Sequence, residues 1–460
     1  MNNNHRIRYL GIDDYILAFF AISLPRGSHA TVGTTWSAEY QTPMTILIIG
    51  GGIAGLTTAL SLHQIGLPCR VYESVRDVRP LGLGINLLPH AVRELTELGL
   101  SGALTDHAIP TAELAYYSAL GQRIWSEPRG LAAGYAWPQF SIHRGALQML
   151  LMDAVRQRLG PGAVVTGHHL TGWEETAAGV RAFFMDPRDQ TGLPPADGVL
   201  MIGADGIHST IRGRLYPDEG PPIWNGAILW RGATLGKPFL GGRAMIMAGH
   251  EFQKFVAYPI SKRAQDRGEA EINWIAERKF RPDHDWRRED WNRPGAVEDF
   301  LPHFASWRFD WLDIPAVIQG AERCFEFPMV DRDPLPAWRA GRVTLLGDAA
   351  HPMYPIGSNG ASQGILDARY LARFLRLHGV TTAALDAYEQ ERRPATARIV
   401  VANRANGPEQ VMQLVQLRAP NGFGRIEDVL APDEVDYTAN AYKRIAGFDR
   451  ETLNTRPPIV

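Results

Sequence analysis

Cysteine is nearly absent from the 460 residues: Cys69 and Cys324 stand far apart, in no CxxC or His-rich context. That excludes a disulfide framework and a zinc site, and fits thiols kept reduced in a cytoplasmic protein. An excess of either charge is missing too. Lys and Arg number 47 against 49 Asp and Glu, evenly scattered, for a formal net charge of -2. Without a basic stripe, neither a nucleic acid nor an anionic membrane is an expected partner, and a small molecule is. Long apolar runs are also lacking. The one candidate targeting run, Tyr15 to Leu24, is about half of the roughly 20 residues needed to span a bilayer. Asp13 and Asp14 stand where the basic region of a signal peptide belongs. No HExxH pattern occurs, and neither a metal nor a nucleophilic triad is expected.

What is present begins at Met44. Residues 1–43 read as an extension, either a disordered tail or an overextended start, because Met44 leads directly into a strand. Thr45 to Ile49 is short, apolar and largely β-branched, the pattern of a strand covered on both faces of a parallel sheet. Gly50, Gly52 and Gly55 follow in GxGxxG spacing, and Leu56 to Gln64 reads as a helix that stops at Gly66. Cys69 to Tyr72 is a second strand, which delivers Glu73 about 20 residues beyond the glycines, where a carboxylate accepts from a ribose hydroxyl. The glycines let the backbone approach a pyrophosphate, and the helix start supplies free N–H groups and the positive end of its dipole. Gly50, Gly52, Ala54, Gly55 and Glu73 are thus expected to bind a dinucleotide, without separating NAD from FAD.

Two further strands end in similar punctuation. Val199 to Ile202 runs into Gly203-Ala204-Asp205-Gly206, and Val343 to Leu346 runs into Gly347-Asp348-Ala349-Ala350-His351. Singly, each could be a turn closed by an Asx hydrogen bond. Together with GxGxxG, and in this order, they resemble the flavoprotein monooxygenase family. The resemblance implies an α/β fold, with a Rossmann-like FAD-binding domain and an inserted antiparallel-sheet substrate domain, like that of para-hydroxybenzoate hydroxylase. It implies that Asp348 holds the ribityl chain of non-covalent FAD, and that Asp205, less directly Arg212, serves FAD and pyridine nucleotide. It adds Arg144, which opens a helix in His143 to Leu147. No second GxGxxG follows a strand, so NADH or NADPH is expected to visit transiently and, with O2, to generate a flavin hydroperoxide that hydroxylates an aromatic ring. Arg79 to Asn86, Trp125 to Gly130, Ser141 to Gln148 and Met329 to Pro336 look like the phenazine-modifying branch. That implies hydroxylation, with or without decarboxylation, of a phenazine-like carboxylate.

Pro352 to Gly360 leads into the amphipathic run Ala361 to Leu377, with Asn359 or Ser358 placed to cap it. By the same resemblance this helix aims its start at the flavin, which makes Pro355, Gly357, Asn359 and Gly360 the catalytic candidates, with Gly360 and Ala361 touching the cofactor. Between the GADG and GDAAH segments, Ile223 to Ala276 alternates apolar and polar stretches as an antiparallel sheet does. Trp230, Arg231 and Tyr258 are its candidates for lining a substrate pocket. The expected domains are 44–222 with 326–406 for FAD and 223–325 for substrate; residues 407–460 have little apolar periodicity and no assigned function. An oligomer is left open. Two alternatives stand beside the hydroxylase: a flavin-dependent halogenase, suggested by Trp311 to Pro315, and a non-catalytic flavin-binding protein.

Overall fold

The computed structural model describes residues 44–281, 284, 293–431, 434 and 441–460; the extension 1–43 lies outside the described residues. Strands β1 (Ile46–Ile49) and β2 (Cys69–Glu73) flank helix α1 (Ile53–Gln64). All four residues of β1 are buried, as its unbroken apolar run requires. β1 pairs in parallel with β2, Ile46 opposite Cys69, and with the later strand Leu200–Gly203, Ile46 opposite Leu200.

A second, largely antiparallel sheet accompanies the first. The further strands of the two sheets in chain order are β3 (Glu113–Tyr117), β4 (Arg123–Pro128), β5 (Val164–Thr166, in the first sheet), β6 (Leu200–Gly203, likewise), β7 (Ile223–Gly236), β8 (Ala244–His250), β9 (Gln253–Pro259), β10 (Ala270–Lys279) and β11 (Cys324–Asp331). With β12 (Arg339–Ala340) and β13 (Val343–Leu345), the first sheet runs β12-β13-β6-β1-β2-β5, parallel except at β12, and the second runs β11-β7-β10-β9-β8-β3-β4. This is the expected α/β architecture.

The second sheet differs from the sequence reading in two ways. It takes two strands from residues 113–128, ahead of the GADG segment, and β8 joins β3 in parallel, Ala244 opposite Glu113. The reason lies in Leu114, Ala115, Tyr116 and Tyr117, which are apolar on both faces and all buried; such a strand needs neighbours in a sheet interior rather than a solvated edge. On one face, Trp230, Phe255, Trp274, Phe300 and Phe304 form a core. The other face lines a cavity shared with Asp348 and residues 355–361 and carries the site.

The C-terminal stretch, which lacked a readable pattern, packs closely. A helix, Gln410–Arg418, buries Val411, Met412 and Val415 against Leu114, Tyr116, Met245 and Met247 of the second sheet. Cys324 is buried but Cys69 is only half-buried, and burial pushes both thiols up to about 12.

Candidate active site

Two of the motif glycines are demanded by the fold and one is not. A Cβ on Gly50, at φ +110°, would overlap Ala204 O, and one on Gly55 would overlap Gly50 O. Close packing of strand, helix and GADG turn thus explains both. Gly52 has an ordinary φ of -78°, and a Cβ there would meet nothing within 4 Å. Its neighbour space is a cradle open for a ligand. Ala54 turns its methyl towards Gly347 and Gly364, which leave room for it. Glu73 is buried and grips the loop: its carboxylate accepts from Gly51 N at 2.6 Å and Val75 N at 2.7 Å. Oε1 also accepts from Ser74 Oγ at 3.2 Å, so it is Oε2, bonded only to Gly51 N, that keeps a lone pair for a further donor. Gln148, which sequence reasoning passed over, donates to Gly51 O at 2.9 Å from helix α2 (Arg144–Leu159). His143 caps that helix through Nδ1, leaving Arg144 exposed in its first turn.

The GDAAH turn is held from below. Asp367, fully buried in the helix Gly360–His378, accepts from Gly347 N at 3.0 Å, His351 Nε2 at 2.5 Å and Arg392 Nε at 2.7 Å. Although burial opposes it, these cations and donors bring its carboxyl down to about 2. Asp348, next to Gly347, presents its surface to open cavity space. The protein around it pushes its carboxyl above the usual range, and His351 and Arg144 pull the other way. Asp205 Oδ2 accepts from Thr210 N at 2.8 Å, fixing the short helix Thr210–Leu215. Arg212 is a correction. It is buried at 1 % exposure, paired with Glu219, and donates to Ala349 O, Ala350 O and Asp333 O, so it is a structural clamp with no face left for a nucleotide.

The loop before helix Gly360–His378 turns at Gly357 and Ser358, both in the left-handed region at φ +69° and +57°. Asn359 occupies the N-cap position, but its side chain does not cap. Nδ2 instead donates to Tyr442 Oη at 2.9 Å and to Gly357 O at 3.3 Å. The first-turn N–H groups of a 19-residue helix are therefore left without a side-chain acceptor, at a point where Gly360 and Ala361 line a cavity. Gly360-Ala361-Ser362-Gln363-Gly364 happens to spell GxSxG, yet Ser362 is wholly buried in that helix and its Oγ accepts from Leu88 N. It is no nucleophile.

A cleft of about 910 Å³, part of it open to solvent, lies between this helix start and the second sheet. Pro355, Asn359, Gly360, Ala361 and Asp348 form one wall; Leu229, Arg231, Met245, Met247, Val256, Tyr258 and Ile275 form the other. Gly357 lies off this wall, against Tyr442. Arg231 Nη2 and Tyr258 Oη both donate to Gly84 O, at 3.0 and 2.9 Å, and burial raises the Tyr258 phenol to about 12. Trp230 does not line the cavity. Successive strand residues face opposite sides, and Trp230 stacks on Phe300 at 4.8 Å in the core behind the sheet, its Nε1 donating to Glu326. Trp311 to Pro315 lies in that rear layer as well: Trp311 packs on Tyr117, and Asp313 caps the helix Ile314–Gln319. Among the described residues, no cluster of His, Cys, Asp or Glu could hold a metal, and no helix is long and apolar enough to cross a membrane.

A glycine cradle open at Gly52, an Asp facing the cavity and an uncapped helix start opposite a sheet wall of mixed apolar and charged side chains define an FAD-dependent monooxygenase of the single-dinucleotide-domain class. The chain belongs to the FAD binding domain family, whose model matches residues 43–221 and 329–403. It is 47% identical over 364 residues to the phenazine 1,6-dicarboxylic acid hydroxylase PhzS of Lysobacter antibioticus, covering 78% of this chain and 89% of that one. With the 3-amino-4-hydroxybenzoate 2-monooxygenase PtnB3 of Streptomyces platensis it shares 34% over 378 residues, 79% of this chain and 88% of the relative. Two solved structures share its fold. Klebsiella pneumoniae HpxO, complexed with FAD and uric acid, superposes at TM-score 0.66 and 22% identity over 89% of this chain and 95% of its own. A salicylate hydroxylase substrate complex does so at 0.65 and 23%, over 88% and 98%. The halogenase alternative finds no support, since the relatives are hydroxylases and monooxygenases and the Trp311 segment lies behind the sheet.

Proposed function

We propose that the protein uses NADH or NADPH and O2 to hydroxylate a phenazine-like aromatic carboxylate, with FAD bound non-covalently in the cytoplasm. The observation that carries this reading is the cavity in which the uncapped start of helix Gly360–His378 faces a sheet wall with Met245, Met247, Val256 and Ile275 beside Arg231. The residues fit FAD: Gly50, Gly52, Ala54 and Gly55 would pass the pyrophosphate, Glu73 and Arg144 would meet the adenosine half, and Asp348 the ribityl chain. Asp205 would contribute by fixing the turn beside Gly50. When bound, FAD supplies the redox chemistry: it takes hydride from the nicotinamide and activates O2.

The chain's own residues do the rest. The free N–H groups at Gly360 and Ala361 favour negative charge on a reduced ring placed against them. Pro355 and Asn359 shape that contact, and Gly357 provides the turn that aims it. Met245, Met247, Val256 and Ile275 exclude water from the reacting ring. The Arg231 guanidinium, whose Nε is buried without a partner, would anchor the ring's carboxylate.

Stopped-flow reduction of the FAD-loaded protein by NADH, with and without phenazine-1-carboxylate, tests the reading. Reduction should be at least roughly ten times faster with a true substrate, about 1.4 kcal/mol in barrier, and the product should be heavier by one oxygen or show oxygen in place of the carboxyl. If no aromatic carboxylate accelerates NADH consumption and none is oxygenated, the reading fails.

A further inference from the structure

The sheet wall of the cavity carries charge that the fold does not require. Lys254 on β9 and Glu277 on β10 are cross-strand partners, both buried, with Nζ and Oε2 2.9 Å apart. Glu409, from the C-terminal stretch, meets the same ammonium at 2.5 Å and is buried too. One ammonium between two carboxylates leaves a negative charge over, and Glu277 has no other ion-pair partner among the described residues. All three groups line the cavity. Apolar residues of similar size would stabilise such a wall at least as well as buried ions do, so packing does not explain them.

Their position along the strands gives them a meaning. Lys254 and Glu277 lie four residues from Tyr258 and Asn273, which are also cross-strand partners, a distance of about 13 Å at 3.3 Å per residue. Tyr258 Oη meets the Arg231 guanidinium there on Gly84 O, although Arg231 itself springs from the row of Ile275, two residues from that of Glu277. The rows between hold Ile275, Val256 and Met247. The wall thus gathers a guanidinium and a phenol on Gly84 O, sets Val256, Ile275 and Met247 next to them, and holds the anionic triplet beyond, an arrangement that suits a fused ring system with a substituent at each end.

We propose that this wall selects its substrate by polarity: the ring carboxylate lies at Arg231 and Tyr258, and the Glu277–Lys254–Glu409 triplet receives an N–H or O–H donor on the opposite edge. The preferred substrates are then aromatic monocarboxylates bearing such a donor, and a second carboxylate at that edge is disfavoured. This rests on the aromatic-carboxylate reading given above. A carboxylate accepting from a substrate donor makes a charge-assisted hydrogen bond, whereas a second anion would face the excess negative charge. Burial pushes Glu277 above the usual carboxylate range while Lys254 opposes it, so pH 8 is the condition in which to look.

The FAD-loaded full chain is titrated at pH 8, following the flavin absorbance, with 6-aminophenazine-1-carboxylate against phenazine-1,6-dicarboxylate, and with 3-aminobenzoate against isophthalate. The amino compound of whichever pair binds should win by about tenfold, 1.4 kcal/mol. Glu277→Gln and, separately, Glu409→Gln should shrink that preference to within about threefold, half of that difference or less, with FAD retained as evidence of folding. Arg231→Met should weaken both members of the pair alike. A dicarboxylate that binds as tightly as its amino partner, or a preference unchanged in both Gln variants, overturns the proposal while leaving the hydroxylase reading in place. Binding by none of the four overturns both.

Discussion

Gly357→Ala should be far more damaging than its size suggests, and most of the damage should disappear when Tyr442 is removed. Gly357 sits at φ +69° and ψ 6°, and a Cβ there would overlap the Tyr442 hydroxyl. That hydroxyl is buried, accepts from Asn359 Nδ2 at 2.9 Å and lies 2.8 Å from Asn403 Oδ1 as donor. The left-handed backbone costs an alanine about 1 kcal/mol. Displacing Tyr442 strands buried partners on Asn359 and Asn403, about 1–3 kcal/mol each, so the single change should cost about 4 kcal/mol. Tyr442→Ala, which empties an aromatic site, should cost about 4 kcal/mol as well. In that background the overlap is gone, and Gly357→Ala should cost only the backbone's roughly 1 kcal/mol. The double variant then falls about 3 kcal/mol short of additivity, within the range of coupled neighbours. Urea unfolding followed by far-UV circular dichroism and by flavin fluorescence gives each value. Additive costs, or a Gly357→Ala variant within about 1 kcal/mol of the parent, would refute the reasoning that the C-terminal stretch braces the flavin-facing turn.

The two kinds of motif glycine separate cleanly. Gly52→Leu should fold with a parent-like unfolding midpoint yet purify colourless, because its side chain enters only the open cradle, whereas Gly55→Ala should lose the fold; absorbance at the flavin band and circular dichroism distinguish them. His90, buried against Arg456 and Arg392, has its pKa lowered to about 3. The unfolded chain binds a proton near pH 6.5 and the folded one does not, so stability is full above 6.5 and falls with acidification, by up to about 1.4 kcal/mol per pH unit down to pH 3. His90→Gln should flatten the stability profile measured across that window, and an unchanged slope counts against the assignment. A chain beginning at Met44 should fold and keep its FAD, since the described contacts of β1 begin there; loss of the yellow colour on purification would contradict this.

The parts legible in the sequence were those whose causes are local. The β1–glycine–α1–β2 unit is written in consecutive residues, and so are the strand ends that deliver Asp205 and Asp348. Alternation placed Arg231 and Tyr258 on a sheet but could not say which face was inward, and so Trp230 was grouped with Arg231 although the two must point apart. Arg212 looked like a ligand because nothing near it in sequence reveals Glu219 and the carbonyls of Ala349 and Ala350 closing around it. Lys254, in the otherwise apolar Lys254 to Pro259, was a signal that went unread. Glu409 and Tyr442 had none, since each acquires its role only from residues 155 and 83 positions away.

The parallel seam between β3 and β8 bears on how the chain reaches this form. During synthesis, the hairpin of residues 113–128 emerges long before its partner Ala244–His250. Until then Leu114 and Tyr116, buried in the finished protein, have no neighbour on that edge. Pairings of such high sequence separation are slow to form, and waiting edges are where chains associate wrongly. Aggregation at fast expression should therefore begin at this hairpin. By the same token, residues 223–325 cannot be lifted out as a transplantable specificity module: without 113–128 the sheet would end at β8, with an apolar edge open to any passing strand.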